Sequence, residues 1–337
     1  MLAERQVELR FHVTSRDART HTNLSAVRSD GAGLWLAGDE TATVEYLTLR
    51  ENRYDDQRTY ALADFVDLPA GPDEEADIEG LARTDGWLWA IGSHSLKRKR
   101  VKRDHPVGKA RRRLGAVVRE ENRYILVRLP LVGSTPVRSD GHRTAAILSG
   151  RGRNLADLMS DDPHLAPFLR IPSKDNGLDI EGIAVLGDRV FVGLRGPVLR
   201  GWAVLLEIRP ETDPQRPDRL ALAPIDGLPY RTHFLNLGGL GVRDLCPHGD
   251  ELLILAGPTM DLDGPVRVLR WRPEDSASVE HDPVPVMDLP HGDGCDHAEG
   301  IAVLGDERLL VVYDSPAEAR LTPEGGVLAD VVRLSSG

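Results

Sequence analysis

Cysteine is nearly absent from this chain. Cys246 and Cys295 are the only two, too few for a disulfide framework, and they read as a chance pair of buried thiols. Aromatic residues make up 5% against 41% for all hydrophobic residues, so Val, Leu, Ile and Ala must build the core. No run approaches the roughly 18 uninterrupted apolar residues of a membrane span. The start, Met1-Leu-Ala-Glu-Arg-Gln, is charged at once and lacks a signal-peptide core, so a cytoplasmic protein is expected. There is no P-loop, dinucleotide fingerprint, His-Glu-x-x-His motif or nucleophile elbow. Gly92-Ser-His-Ser lacks the second glycine of an elbow. Asp261-Leu-Asp-Gly has only part of a calcium loop and reads as a turn. A net charge of -11 argues against general nucleic-acid binding.

Glycine and proline, by contrast, are plentiful at 33 and 23, as many short strands and turns require. One signature recurs five times: Asn23-Leu-Ser-Ala-Val, Asp77-Ile-Glu-Gly-Leu, Asp179-Ile-Glu-Gly-Ile, Gly241-Val-Arg-Asp-Leu and His297-Ala-Glu-Gly-Ile. Each opens a strand–turn–strand pattern, for example Ile183-Ala-Val-Leu, Gly187-Asp-Arg, Val190-Phe-Val-Gly-Leu. Gly-Asp and Asp-Gly between apolar runs are strong hairpin signals. Nearly continuous apolar first strands fit burial on both faces. Repeats of this length carrying their own strands predict an all-β fold: a single β-propeller of short four-stranded antiparallel blades around a central channel. Successive third positions lie 54, 102, 62 and 56 residues apart. The long interval favours six blades over five, with a degenerate blade near 138–172. Val7 to Val13 could close the ring on the last blade. One domain over 1–337 is expected, with a basic loop inserted at about 97–113.

A propeller gathers equivalent residues around its axis. The third positions are Ser25, Glu79, Glu181, Arg243 and Glu299. The first positions are Asn23, Asp77, Asp179, Gly241 and His297, two residues away and so on the same strand face. A third column, at the end of the second strand, reads Glu40, His94, Arg195, Pro258 and Asp314. All three should meet at one channel mouth. Glutamates facing one another raise each other's pKa or require a cation. Their hard oxygens suit calcium first, then magnesium or manganese. The expected site therefore has Glu79, Glu181 and Glu299 on a divalent cation. Arg195, Arg243, Asp77, Asp179 and His297 would contact substrate, with His94 and Asp314 as catalytic groups. A competing reading has the arginines simply neutralising the glutamates and the glycine of Glu-Gly serving blade packing.

Residues 97–113 contain ten Lys or Arg and one acid, a charge of +9 that leaves -20 on the rest of the chain. Such separation suggests an anionic ligand, or docking on the protein's own acidic surface. Without aromatics it is poor material for stacking single-stranded bases.

Asp77-Ile-Glu-Gly-Leu-Ala with Gly92-Ser-His-Ser and the basic segment, Asp179-Ile-Glu-Gly-Ile-Ala with Gly193-Leu-Arg-Gly-Pro, and Val242-Arg-Asp-Leu with Ala256-Gly-Pro-Thr together resemble a bacterial β-propeller family, one of the domains of unknown function. The resemblance spans about residues 20 to 335. The Glu-Gly signature alone is remotely similar to phytase-like and esterase-like propellers, and that similarity implies acidic residues binding calcium at the channel mouth. The dense calcium-ligand loops of a phytase-like enzyme are absent here. The function expected is a divalent-metal-dependent hydrolase of a phosphorylated or other anionic substrate. The alternative is a non-enzymatic scaffold binding a protein or polyanion through the basic loop. The expected partners are a small anionic ligand or another protein, with nucleic acid only through Lys97 to Arg113, no membrane, and a monomeric state.

Overall fold

The computed structural model describes residues 3–334 except Asp85, Asp261, 275–278, 281–282 and Asp306. Asp261 of the expected turn, and Asp85 and Asp306 of two hairpin turns, thus lie outside the described residues.

Five antiparallel units form a ring. The first runs Leu24–Ser29, Gly33–Gly38, Thr43–Arg50 and Arg53–Ala61. The second is Ile78–Thr84, Trp87–Gly92, Leu126–Val132 and Ala146–Leu148. The third is Asp179–Leu186, Arg189–Gly196, Trp202–Asp213 and Arg231–Asn236, with Arg216–Ala223 paired to the long third strand. The fourth is Gly241–His248, Glu251–Gly257, Val266–Trp271 and Val284–Leu289. The fifth is His297–Leu304, Arg308–Asp314 and Gly326–Arg333, completed by Arg5–Arg10 from the start of the chain. The first strand of each unit packs against that of the next, and the fifth returns to the first. This is a β-propeller with five blades among the described residues.

The expected sixth blade is not found among the described residues. Within 138–172 the chain makes an isolated bridge, Ser139 with Thr144, and then Ala146–Leu148, the outer strand of the second blade. A one-turn helix, Leu155–Leu158, and a 3-10 turn, Ala166–Phe168, follow. The 102-residue interval is one blade with two insertions. The other insertion is the basic segment, a short hairpin of Lys97–Arg98 and Val117–Val118 around a helix, Val107–Gly115.

Five apolar clusters fill the five seams. Trp35, Tyr46 and Leu88 lie between the first and second blades, and Phe191, Leu245 and Trp271 between the third and fourth. Burying such side chains stabilises the fold by about 1.5–3 kcal/mol each. The seams are tight near the axis. A Cβ on Gly182 would stand 3.0 Å from Leu245 N, and one on Gly300 3.1 Å from Val27 N. Glycine after glutamate therefore lets neighbouring inner strands approach. Cys246 is buried and Cys295 is only partly so; both are free.

Candidate functional site

The inner hairpin of every blade carries the same irregularity. Register shifts fall between Leu24 and Ala26, Ile78 and Gly80, Ile180 and Gly182, Val242 and Asp244, and Ala298 and Gly300. The residue skipped is Ser25, Glu79, Glu181, Arg243 or Glu299, the third position of each repeat. A bulge re-aims its side chain and breaks strict alternation. Five bulges at one level give these residues a common setting at the ring.

On the side of the first two blades the setting is acidic. Ligand oxygens of Asp39, Asp77 and Glu79 all lie within 4.8 Å of one another. Asp77 is buried and holds a left-handed backbone, φ 49°, which is uncommon outside glycine. One of its oxygens pairs with Arg123. Its Oδ2 and Asp39 Oδ1 are buried without a hydrogen-bond partner. Burial, then the nearby Asp77 charge, raises the Asp39 pKa to about 7. Burial with Asp77 and Glu181 pushes Glu79 well above the usual carboxylate range. Asp179 also rises to about 7, through burial and then Glu181. Burial raises Asp314, which faces His297 across its hairpin and bridges to Asn23 of the first blade.

The third and fifth blades present carboxylates already matched to arginines of the third and fourth. Arg195 Nη1 donates to Glu181 Oε1 at 2.6 Å. Arg243 Nη1 pairs with Glu299, and its Nε lies 3.8 Å from Glu181 Oε2. The Pro258 carbonyl accepts from Arg195 Nε at 3.3 Å and from Arg243 Nη2 at 3.1 Å. Met260 O accepts from Arg195 Nη2. This geometry is that of the competing sequence reading, in which the arginines neutralise the glutamates: Glu181 and Glu299 each pair with a guanidinium, and both arginines also donate to backbone carbonyls.

His94 is a correction to the sequence expectation. Its ring is fully buried, with Nδ1 2.9 Å from Gly92 O and an edge-on contact to Tyr124 at 5.8 Å. Burial lowers its pKa to about 4. The groups that act on it are Arg119 and Asp157, not the mouth carboxylates. The cause is a one-residue slip. Leu24 pairs with Gly38 and Ile78 with Gly92, so the column opposite Asn23 and Asp77 holds Asp39 and Ser93, not Glu40 and His94. His297 lies beside Asp314, with Nε2 3.1 Å from Asp263 Oδ1.

Sequence reasoning missed Asp39, Arg123 and Lys174. Aligning the repeats on Gly38 and Gly92 would have found Asp39. Lys174 is exposed on the 3-10 turn Ser173–Asp175, and its charge reaches Asp39, Asp179, Glu181 and Asp314. The basic segment is fastened to the same turn. Arg98 Nη2 contacts Asp175 Oδ2 at 2.6 Å, and Ser173 N donates to Leu96 O at 3.0 Å.

A family model described as "Protein of unknown function (DUF3616)" matches residues 23–330, the whole run of five bulged hairpins. The chain belongs to this family. No curated protein matches the DUF3616 chain in sequence. Among solved structures, it is similar to Myxococcus xanthus glutaminyl cyclase at 10% identity, with a TM-score of 0.45, covering 99% of this chain and 97% of that one. It is similar to the PQQ-bound aldose sugar dehydrogenase of Streptomyces coelicolor at 13% identity, with a TM-score of 0.39 and coverage of 98% and 97%. The propeller assignment rests on the strand ring of the DUF3616 chain itself, not on these distant likenesses.

Proposed function

We propose that the channel mouth is a divalent-cation site serving hydrolysis of a phosphorylated or other anionic substrate, with Asp39, Asp77 and Glu79 as ligands. One observation carries this reading. Three carboxylates from two blades converge within 4.8 Å, and buried oxygens of Asp39 and Asp77 have no hydrogen-bond partner. Such a group repels itself unless protons or a cation intervene. All-oxygen donors fit calcium, magnesium or manganese.

When bound, the cation would activate a water and neutralise an anionic oxygen. The chain's own residues supply the rest. Asp179, with a pKa of about 7, can give or take a proton near neutral pH. Asp314 is the second carboxyl for that work. Lys174 adds an exposed positive charge above the acids, suited to meeting an anion at the entrance. Glu181–Arg195 and Glu299–Arg243 hold the opposite wall in place.

The test is thermal melting with calcium, magnesium and manganese, since binding to the native state alone raises the Tm. At least one ion should raise it, and Asp77→Asn or Glu79→Gln should remove the response. A panel of phosphomonoesters, phosphodiesters and lactones then reads hydrolysis. No response to any ion would overturn the reading.

One observation favours the scaffold alternative. The helix Val107–Gly115 has no buried residue, so the helical part of the basic segment is displayed to solvent, while Lys97 and Arg98 at its base pair with acids.

A further inference from the structure

The basic hairpin is built to be held out. Its base is fixed by Lys97 pairing with Val118 and Arg98 with Val117. Arg98 grips Asp175, and Arg113 Nε donates to Arg100 O at 2.6 Å. Beyond that base, Arg100, Lys102, Arg103, Lys109, Arg111 and Arg112 are all exposed, and none has an ion-pair partner among the described residues.

Charge is only half of what the hairpin displays. Val107 is 77% exposed, Leu114 55% and Val117 43%. Val107, Arg111 and Leu114 stand at i, i+4 and i+7, so two aliphatic side chains and a guanidinium share one helix face. Val117 follows on the returning strand. An aliphatic set on the outside of a cationic helix gains nothing from phosphates alone. It gains when the cations meet an anionic surface that has hydrocarbon beneath it.

We propose that residues 97–118 form a docking element for an anionic lipid surface. The cations contact the headgroups, while Val107, Leu114 and Val117 enter the interface. The arginine stems can lie along the boundary with their charged ends in the headgroup layer. Charge complementarity selects this occupant: +9 on residues 97–113 of a chain at -11 confines attraction to this element. The sequence expectation of no membrane partner rested on the lack of a spanning apolar run, which leaves surface contact through an outward aliphatic face open. It is peripheral contact, since among the described residues no helix is long and apolar enough to cross a membrane. The inference is independent of the hydrolytic reading.

The test is flotation of the full chain with phosphatidylcholine vesicles, with and without about 30% phosphatidylserine, in about 0.1 M salt. Binding is expected only to the anionic vesicles. Arg111→Glu with Arg112→Glu should weaken it at least tenfold. Val107→Ser with Leu114→Ser keeps every charge and should still weaken it about three- to tenfold. These residues are exposed, so far-UV circular dichroism and Tm should match the wild type. An RNA hairpin and a DNA duplex are titrated in parallel. No flotation with anionic vesicles overturns the proposal. So does flotation unchanged by the serine pair, or tighter binding to either nucleic acid than to vesicles.

Discussion

Arg28 of the first blade and Asp244 of the fourth meet across the propeller axis, 216 residues apart in sequence, with guanidinium–carboxylate contacts of 2.7 and 2.9 Å. Both are buried. Arg28 also donates to Ile301 O and Ile183 O, and Asp244 Oδ2 accepts from Ile301 N at 2.8 Å. Inner strands of four blades are thus tied at one point.

Removing one partner should be severe. Asp244→Asn is expected to lower stability by about 3–5 kcal/mol, because it leaves a buried guanidinium without its counter-charge. Arg28→Met with Asp244→Leu should not restore it, since the backbone groups they serve stay unpaired at about 1–3 kcal/mol each. Urea unfolding of the three proteins checks this.

Arg243 should act as a built-in counter-cation. In Arg243→Gln, Glu181 and Glu299 lose the positive charge between them, with an expected loss of about 3 kcal/mol. Calcium should then restore more stability to the variant than to the wild type. Equal calcium responses in melting curves would show that the arginine does not stand in for a cation.

Stability without added cation should fall as pH rises through the window set by Asp39 and Asp179. Their ordinary value is 3.8 and their folded values are about 7. The folded state therefore holds more protons between pH 4 and 7, and stability is lost as pH rises to 7. At pH 8, Asp39→Asn should exceed the wild type by about 1–2 kcal/mol, allowing for solvent screening. At pH 4 the two should converge. Cation affinity should climb over the same range, as protons leave the ligands.

His94 has the opposite sign. Its folded pKa of about 4 lies below the ordinary 6.5. The stability it contributes is full above pH 6.5 and is lost as pH falls toward 4. His94→Gln should flatten that acid limb while leaving the cation response intact. Loss of the cation response would return His94 to the mouth.

Local pattern and ring closure account for what could be read in advance. The apolar first strands and their Gly-Asp turns mark each inner hairpin, and the ring they build brings Asp77, Glu79, Asp179 and Asp314 close enough for their charges to act on one another or on Asp39. The blade count failed because spacing cannot distinguish a degenerate blade from a hairpin and a helical turn of the same length. Asp39 was hidden by a one-residue slip in the second strand. Arg28 was hidden more deeply, since only closure of the ring brings it to Asp244. The arginine pairing was within reach: opposite charges in adjacent columns already allowed Glu181 and Glu299 to be neutralised from within.

The central claim is that a cation sits between the first two blades and not in the ring of glutamates. A crystal grown with manganese and measured for anomalous scattering tests it most directly. The account predicts one peak bounded by Asp39, Asp77 and Glu79, absent from crystals of Asp77→Asn. A peak between Glu181 and Glu299, or no peak at the mouth in manganese-saturated crystals, would contradict it.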